Sequence, residues 1–256
     1  MSGPTVRVLD DAQGVAEVAA ERVIEAAAVA VKARGIFHLC TTGGSTPAAL
    51  YRALREPSRV RRMPWAQTQI WFGDDRFVPR ADPLSNVAPL DAGLLSASSD
   101  GAPSPLSPSA VHPWPTAAAD ATTAVSAYLG ELRAADVPHT PTGFPIFDLV
   151  LIGIGGDGHC LSVFPDSPLA LEGAPIAAGV PAPTHIEPQV PRLSFSLGAL
   201  TSAREVLALA PGAAKAEALA RIFRDRTAIV DAPAKAALIP TATWLLDTAS
   251  AASLPS

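Results

Sequence analysis

The segment FDLVLIGIGGDGHCLSVFP, Phe147 to Pro165, restricts the fold more than any other. Phe147 to Ile152 is an apolar run broken only by Asp148, and it reads as a strand buried on both faces. Glycines follow at 153, 155, 156 and 158, with Asp157 and His159 inside or just after the turn. A strand buried on both faces needs helices above and below its sheet. The rest of the chain should therefore alternate strands with helices.

It does. Thr5 to Leu9 reads as a strand. Asp10 or Asp11 can cap a helix running to about Arg34, with Gly35 as its stop. Val15, Val18, Ala19, Val23, Ala26 and Val29 recur at helical spacing. Ile36 to Cys40 reads as a buried strand, and TTGGSTP (41–47) as a turn into a helix with Pro47 in its first turn. Gln69 to Phe72 is a strand before GDDRF, and Ser85 or Asn86 can cap a helix to about Leu95. A helix from about Ala117 to Ala135 precedes the Phe147 strand. Strands follow near 174–180, 192–197 and 205–210, then a helix over 213–224 and a short one near 233–238. The Ser- and Pro-rich stretch 96–110 reads as a surface loop, because the pattern resumes unchanged after it. No internal repeat is visible. The expectation is one α/β domain over residues 1–256, a mostly parallel sheet with helices on both faces. Such sheets bind ligands at the carboxyl ends of their strands, where the loops after Cys40, Phe72 and Ile152 all fall.

The net charge of −5 supplies no basic field for nucleic acid or an acidic membrane. An anionic substrate would have to be met by a few local Arg or Lys groups. The longest apolar run, Ala26 to Val31, is too short to span a bilayer. The opening MSGPTVRVLDD lacks the pattern of a signal peptide, and Cys40 and Cys160 form no C-x-x-C. A reduced, cytoplasmic protein is expected.

Gly153, Gly155 and Gly158 match G-x-G-x-x-G, the dinucleotide-binding turn. That reading needs a helix of several turns straight after the glycines, and Pro165 and Pro168 interrupt the chain too soon. The glycines can instead serve backbone shape alone, or clear space for a ligand beside Asp157 and His159. A His near a site suits general-base chemistry, since its ordinary pKa of about 6.5 lies near working pH. The Gly43–Gly44–Ser45–Thr46 turn can offer N–H groups and hydroxyls to an anion, or Thr46 can simply cap the helix. Ser45 makes a poor nucleophile elbow, because Pro47 stands where G-x-S-x-G wants glycine. Asp74, Asp75 and Arg76 form a charged turn in which Arg76 can fork onto a phosphate or carboxylate. Lys215 opens a helix, a poor place for an ammonium unless an anion joins it, and Arg192 begins a strand after Pro191. The five His are scattered without metal-ligand spacing, so no metal site is indicated.

Six blocks in order resemble the 6-phosphogluconolactonases: GGSTP (43–47), DDRFVPRADPLSN (74–86), GIGGDGHCLSVFP (153–165), RLSFSLGAL (192–200), PGAAKAEAL (211–219) and WLLD (244–247). The resemblance implies a modified Rossmann-type fold without nucleotide, cofactor or required metal. It also implies a sugar-phosphate substrate, 6-phospho-D-glucono-1,5-lactone, hydrolysed to 6-phosphogluconate; a monomer or weak homodimer is expected. His159, Asp157 and Arg76 are the expected catalytic group. Gly43, Gly44, Ser45, Thr46, Asp74, Arg192 and Lys215 are the expected substrate contacts. The related glucosamine-6-phosphate deaminases carry an acid five positions after the His, where this chain has Phe164. A sugar-phosphate sensor would carry a DNA-binding head, which is not expected here. The chain departs from the pattern at Thr42, Asp75, Cys160, Leu161 and Asp166.

Overall fold

The computed structural model describes residues 3–97, 101–224 and 226–254; residues 98–100 of the expected surface loop lie outside them. Strands β1 (Thr5–Leu9), β2 (Phe37–Thr41), β3 (Thr68–Phe72), β5 (Val111–His112), β6 (Leu149–Gly153), β9 (Val206–Ala210) and β10 (Ala242–Asp247) form one parallel sheet. Its order is β1-β10-β9-β6-β2-β3-β5. Helices α1 (Ala12–Arg34), α2 (Ser45–Leu54), α3 (Pro57–Val60), α4 (Ala88–Leu90), α5 (Ala121–Ala134), α6 (Gly198–Ser202) and α7 (Ala216–Ile222) connect them.

Local chemistry explains the longest helix. Asp11 is its N-cap, with its carboxylate accepting the Gly14 N–H at 2.8 Å. Gly35 ends it at φ 79°, a conformation that suits glycine. The face turned to the sheet carries Val15, Ala19, Val23, Ala27 and Ala30, so the apolar stripe is rotated from the expected one and Val29 is left exposed.

Two sequence readings are corrected, and two strands appear that no pattern announced. The segments near 174–180 and 192–197 form β7 (Ala177–Val180) and β8 (Arg192–Phe195), which leave the main sheet. With β4 (Asp74–Arg76) they make a separate antiparallel sheet in the order β4-β8-β7. Strand β10 and the short β5 carry no alternation to mark them, yet β10 is buried between β1 and β9. The helix expected over 213–224 breaks into a 3₁₀ turn at Ala213–Lys215 followed by α7.

An aromatic cluster locks the end of β3. Trp114 lies 4.0 Å from Tyr128, centroid to centroid, and Phe195 sits against both. The Phe72 N–H donates to the Tyr128 hydroxyl at 2.8 Å, and Trp114 Nε1 donates to the Phe72 carbonyl at 2.9 Å. Burying a ring of this size contributes roughly 2–3 kcal/mol, and these polar tips fix where β3 ends and the Asp74–Arg76 strand begins.

At the amino end of β6, buried Asp148 accepts from Arg34 Nη2 at 2.6 Å and from the His38 N–H at 2.9 Å. It thereby ties the end of α1 and the start of β2 to β6. Asp148→Ala should lower the unfolding free energy by about 1–3 kcal/mol, because a buried donor and a half-buried guanidinium lose their partner. Urea denaturation measures this; an unchanged midpoint would contradict it.

Candidate active site

The sheet changes direction between β2 and β6. From β2 the chain moves outward to β3 and β5; from β6 it moves the other way to β9 and β10. Ligands bind at such switch points, in the crevice beyond the carboxyl ends of the strands. Here a cleft of about 290 Å³ opens between the loops after β2, β6 and β9, with β4 and β8 as a wall. Gly43, Gly44, Ser45, Thr46, Asp74, Arg76, His159, Arg192 and Lys215 line it. Asp157 stands one layer back, behind His159. Every residue expected from the sequence is therefore brought to this place. A larger hollow of about 730 Å³ elsewhere is walled by Phe144, Leu169, Leu171 and Ile176, with Glu172 its one ionisable lining group, and offers an anion no cationic side chain.

The Gly-rich turn after β6 is shaped by its own side chains. Asp157 Oδ1 meets His159 Nδ1 at 2.5 Å and accepts the His159 N–H at 3.1 Å. Its other oxygen, Oδ2, meets His185 Nε2 at 2.9 Å. Burial alone would push the Asp157 carboxyl up; the hydrogen bonds from His159 and His185, with the charge interaction with His159, outweigh it and hold the group well below the usual carboxylate range. An ionised carboxylate only accepts, so Nδ1 of His159 carries the proton. In the neutral ring, Nε2 then keeps a lone pair.

Gly155 is required by this pair. A Cβ there would fall 2.0 Å from His159 Nδ1 and 2.6 Å from Asp157 Oδ1. Gly158, at φ 87°, makes the turn. No helix follows the glycines; the next helical turn is the short one at Pro168–Ala170. The fingerprint thus houses an imidazole rather than a pyrophosphate.

The loop after β2 is equally close-fitted. A Cβ on Gly43 would meet Asn86 Oδ1 at 2.0 Å. Helix α2 begins at Ser45 with Gly44 as its N-cap, so Thr46 lies inside the first turn and is not the cap. Asn86 does not cap α4 either, whose N-cap is Val87. Its Nδ2 donates to the Asp74 carbonyl at 2.9 Å and to Asp74 Oδ1 at 3.2 Å, and its buried Oδ1 has no partner. Asp74 also accepts from Ser162 Oγ at 2.6 Å and from Thr42 Oγ1 at 3.3 Å. Asp74 lines the cleft with both carboxylate oxygens engaged, knitting three loops together.

Arg76 and Arg192 sit directly opposite in the β4–β8 ladder. Like charges opposed across a ladder repel. Arg192 is 3% exposed, and burial, reinforced by Arg76, pulls its guanidinium below the ordinary value against Asp74 and Asp157. Arg76 Nη1 donates to the Leu84 carbonyl at 2.6 Å and Arg192 Nη2 to the Pro188 carbonyl at 3.0 Å. The Nε of each is buried without a partner. Two facing guanidinium groups with donors to spare suit an anionic or oxygen-rich ligand.

Ile186 and Glu187 also line the cleft and His185 adjoins it. Sequence reasoning missed all three, as it missed Asn86 beyond a helix cap. They sit in PAPTHIEPQVP, a Pro-rich stretch without periodicity, so nothing local marked them. Among the described residues no three His, Cys, Asp or Glu side chains gather as a metal site, and no helix is long and apolar enough to cross a membrane.

Fold and cleft define a doubly wound α/β protein with a cationic pocket and a His–Asp pair at its switch point. The chain belongs to the family described as glucosamine-6-phosphate isomerases/6-phosphogluconolactonase, whose model matches residues 10–245. A 6-phosphogluconolactonase of Streptomyces coelicolor is 36% identical over 259 residues, spanning 98% of this chain and 95% of that one. The solved structure of the 6-phosphogluconolactonase from Trypanosoma brucei superposes with a TM-score of 0.83 at 26% identity, over 98% of this chain and 99% of that one. A monomeric glucosamine-6-phosphate deaminase shares the fold at 18% identity and a TM-score of 0.77, over 97% of this chain and 99% of that one.

Asp75 gives a pH test. Its buried carboxyl is pushed up to about 6 by desolvation, against hydrogen bonds from the Asn86 and Arg76 N–H groups and Ser85. A carboxyl raised in the folded state holds its proton longer there than in the unfolded chain. Folding then takes up a proton between roughly pH 4 and 6, and stability from this group falls as pH rises through that window. Asp75→Asn should remove that slope, read as the difference between wild-type and variant urea midpoints across pH 4–7; parallel curves would contradict it.

Proposed function

We propose that the chain is a hydrolase converting 6-phospho-D-glucono-1,5-lactone to 6-phosphogluconate, the second step of the oxidative pentose phosphate pathway. The observation that carries this reading is the His159–Asp157 pair at the cleft, with the imidazole held by Nδ1; in this reading Nε2 is the base. The likeness to relatives named 6-phosphogluconolactonase over nearly the whole chain supports it. His159 Nε2 takes a proton from water, and the oxygen attacks the C1 carbonyl. Arg76 and the N–H groups of the Gly43–Gly44 loop stabilise the oxyanion, donors whose loss in other enzymes costs about 10² to 10³ in rate. The tetrahedral intermediate breaks its bond to the ring oxygen, which takes the proton back from His159. Lys215 and Arg192 hold the phosphate, with Ser45 and Thr46 nearby; Asp74 fixes the wall. A δ-lactone is a reactive ester, so positioning and general-base catalysis of about 10² to 10⁴ suffice without a covalent intermediate, a metal or a cofactor.

Phe164 favours this reading over a deaminase. Its buried ring packs against His159, 4.8 Å between centroids, where a carboxylate would be needed for amine chemistry. We further propose a single domain over residues 1–256 acting in the cytoplasm as a monomer or weak homodimer, without nucleic-acid or membrane partners.

In an assay coupled to glucose-6-phosphate dehydrogenase, His159→Ala should lower kcat by about 10² to 10⁴; unchanged turnover would sink the base assignment. Lys215→Ala should raise KM for the phosphorylated lactone about tenfold or more while sparing unphosphorylated gluconolactone; equal damage to both would remove its phosphate role. Ammonia released from glucosamine-6-phosphate, with no lactone hydrolysis, would overturn the whole reading.

A further inference from the structure

The Asp157 carboxylate has two oxygens and two imidazole partners. Oδ1 serves His159, and Oδ2 serves His185 at 2.9 Å. Because Asp157 is held ionised, both contacts place an imidazole N–H on a carboxylate oxygen, so His185 donates through Nε2. A carboxylate with one free oxygen can rotate; with both engaged it keeps one plane.

His185 is not part of the turn that carries the base. It comes from the strap Pro181–Pro191 between β7 and β8, whose Ile186 and Glu187 line the cleft. Arg192 Nη2 on the Pro188 carbonyl ties the strap to β8, and Gln189 Nε2 closes the strap on itself at the Thr184 carbonyl, 3.4 Å away. Phe164 supports both imidazoles at once. Its centroid lies 4.8 Å from that of His159 and 5.7 Å from that of His185, which meets it edge-on at 86°. Arg192 lies over the same ring at 5.2 Å. The remaining charged groups around the pair are Arg221, whose Nη1 reaches the Asp157 carbonyl at 3.4 Å, and Lys215, Glu187, Arg76 and Asp74 along the cleft. Among the described residues, His185 is the side chain from outside the turn that donates to the carboxylate.

We propose that His185 is a positioning residue: from the strap it fixes the plane of Asp157, and through it aims His159 Nε2 at the attacking water. This rests on His159 being the base. It does not touch substrate in this role, so its effect belongs in kcat. Loss of the strap as a mere wall would instead appear in KM, since the neighbouring Ile186 and Glu187 line the cleft. Outer partners of this kind set the orientation and tautomer of a functional imidazole.

The test uses the full-length protein and the coupled lactone assay. His185→Ala should lower kcat about three- to tenfold, the share of one charge-assisted hydrogen bond, with KM changed less than about twofold. His185→Gln, whose amide N–H can reach Oδ2, should recover most of that loss. In the resting enzyme, the proton resonance of His159 Nδ1–H should move or broaden in the alanine variant and return in the glutamine one. A wild-type kcat in His185→Ala, a loss confined to KM, no recovery in His185→Gln, or an unmoved His159 resonance would each overturn the inference. The resonance is read without turnover, so it separates failure here from failure of the base assignment, which His159→Ala tests by itself. The side chain of His185 is about half exposed, so the alanine variant keeps the core intact.

Discussion

The pairing of β2 with β6 is the constraint on which the rest depends. Leu39 lies opposite Leu149 and Cys40 opposite Val150, in the middle of the seven-stranded sheet. From that seam the chain winds in opposite directions, which opens a crevice above it. The loops after both strands line the crevice there, and their glycines make room for side chains close to the backbone. Gly43 admits Asn86 and Gly155 admits His159, at distances a Cβ would forbid.

The wall of the cleft is built by different means. The small antiparallel sheet brings Arg76 opposite Arg192 and leaves a buried Nε on each without a partner. Such an arrangement costs stability in a resting protein, through repulsion and desolvation together. The cost is held locally by a dense polar tie: Asp74 to Ser162, Thr42 and Asn86, and Asp75 to Ser85 and the Asn86 N–H. Strain of this sort is expected at functional sites and is offset elsewhere, here by the aromatic cluster that anchors the end of β3.

The chemistry then follows from one carboxylate. Asp157 stays ionised because two imidazoles outweigh its burial, and its ionisation decides which nitrogen of His159 carries the proton. Through Oδ2 and His185 the same carboxylate links the Gly-rich turn to a strap more than twenty residues further along the chain, so His159 and the segment lining the cleft share one hydrogen-bonded unit.

Much of this was legible in the residues. Apolar runs ending in glycines announced the parallel sheet, and Asp11 and Gly35 bounded α1, because capping and strand burial depend on near neighbours. Asp157 and His159 stood out for the same reason, and six ordered blocks pointed to the family. Strand β10 was not legible, since nothing in ATWLLD distinguishes a buried strand from a short helix. Nor was the departure of β7 and β8 into their own sheet, which pairing partners alone decide. Asn86 looked like a cap and His185 like a loop residue, because their partners, Asp74 and Asp157, lie 12 and 28 positions away in sequence. Most of the strands, the turns and the chemically apt side chains could be read from the residues alone, because they are properties of short stretches. Only the tertiary structure decided which of them face one another, because contacts across the sheet are set by packing and ladder register rather than by any local preference.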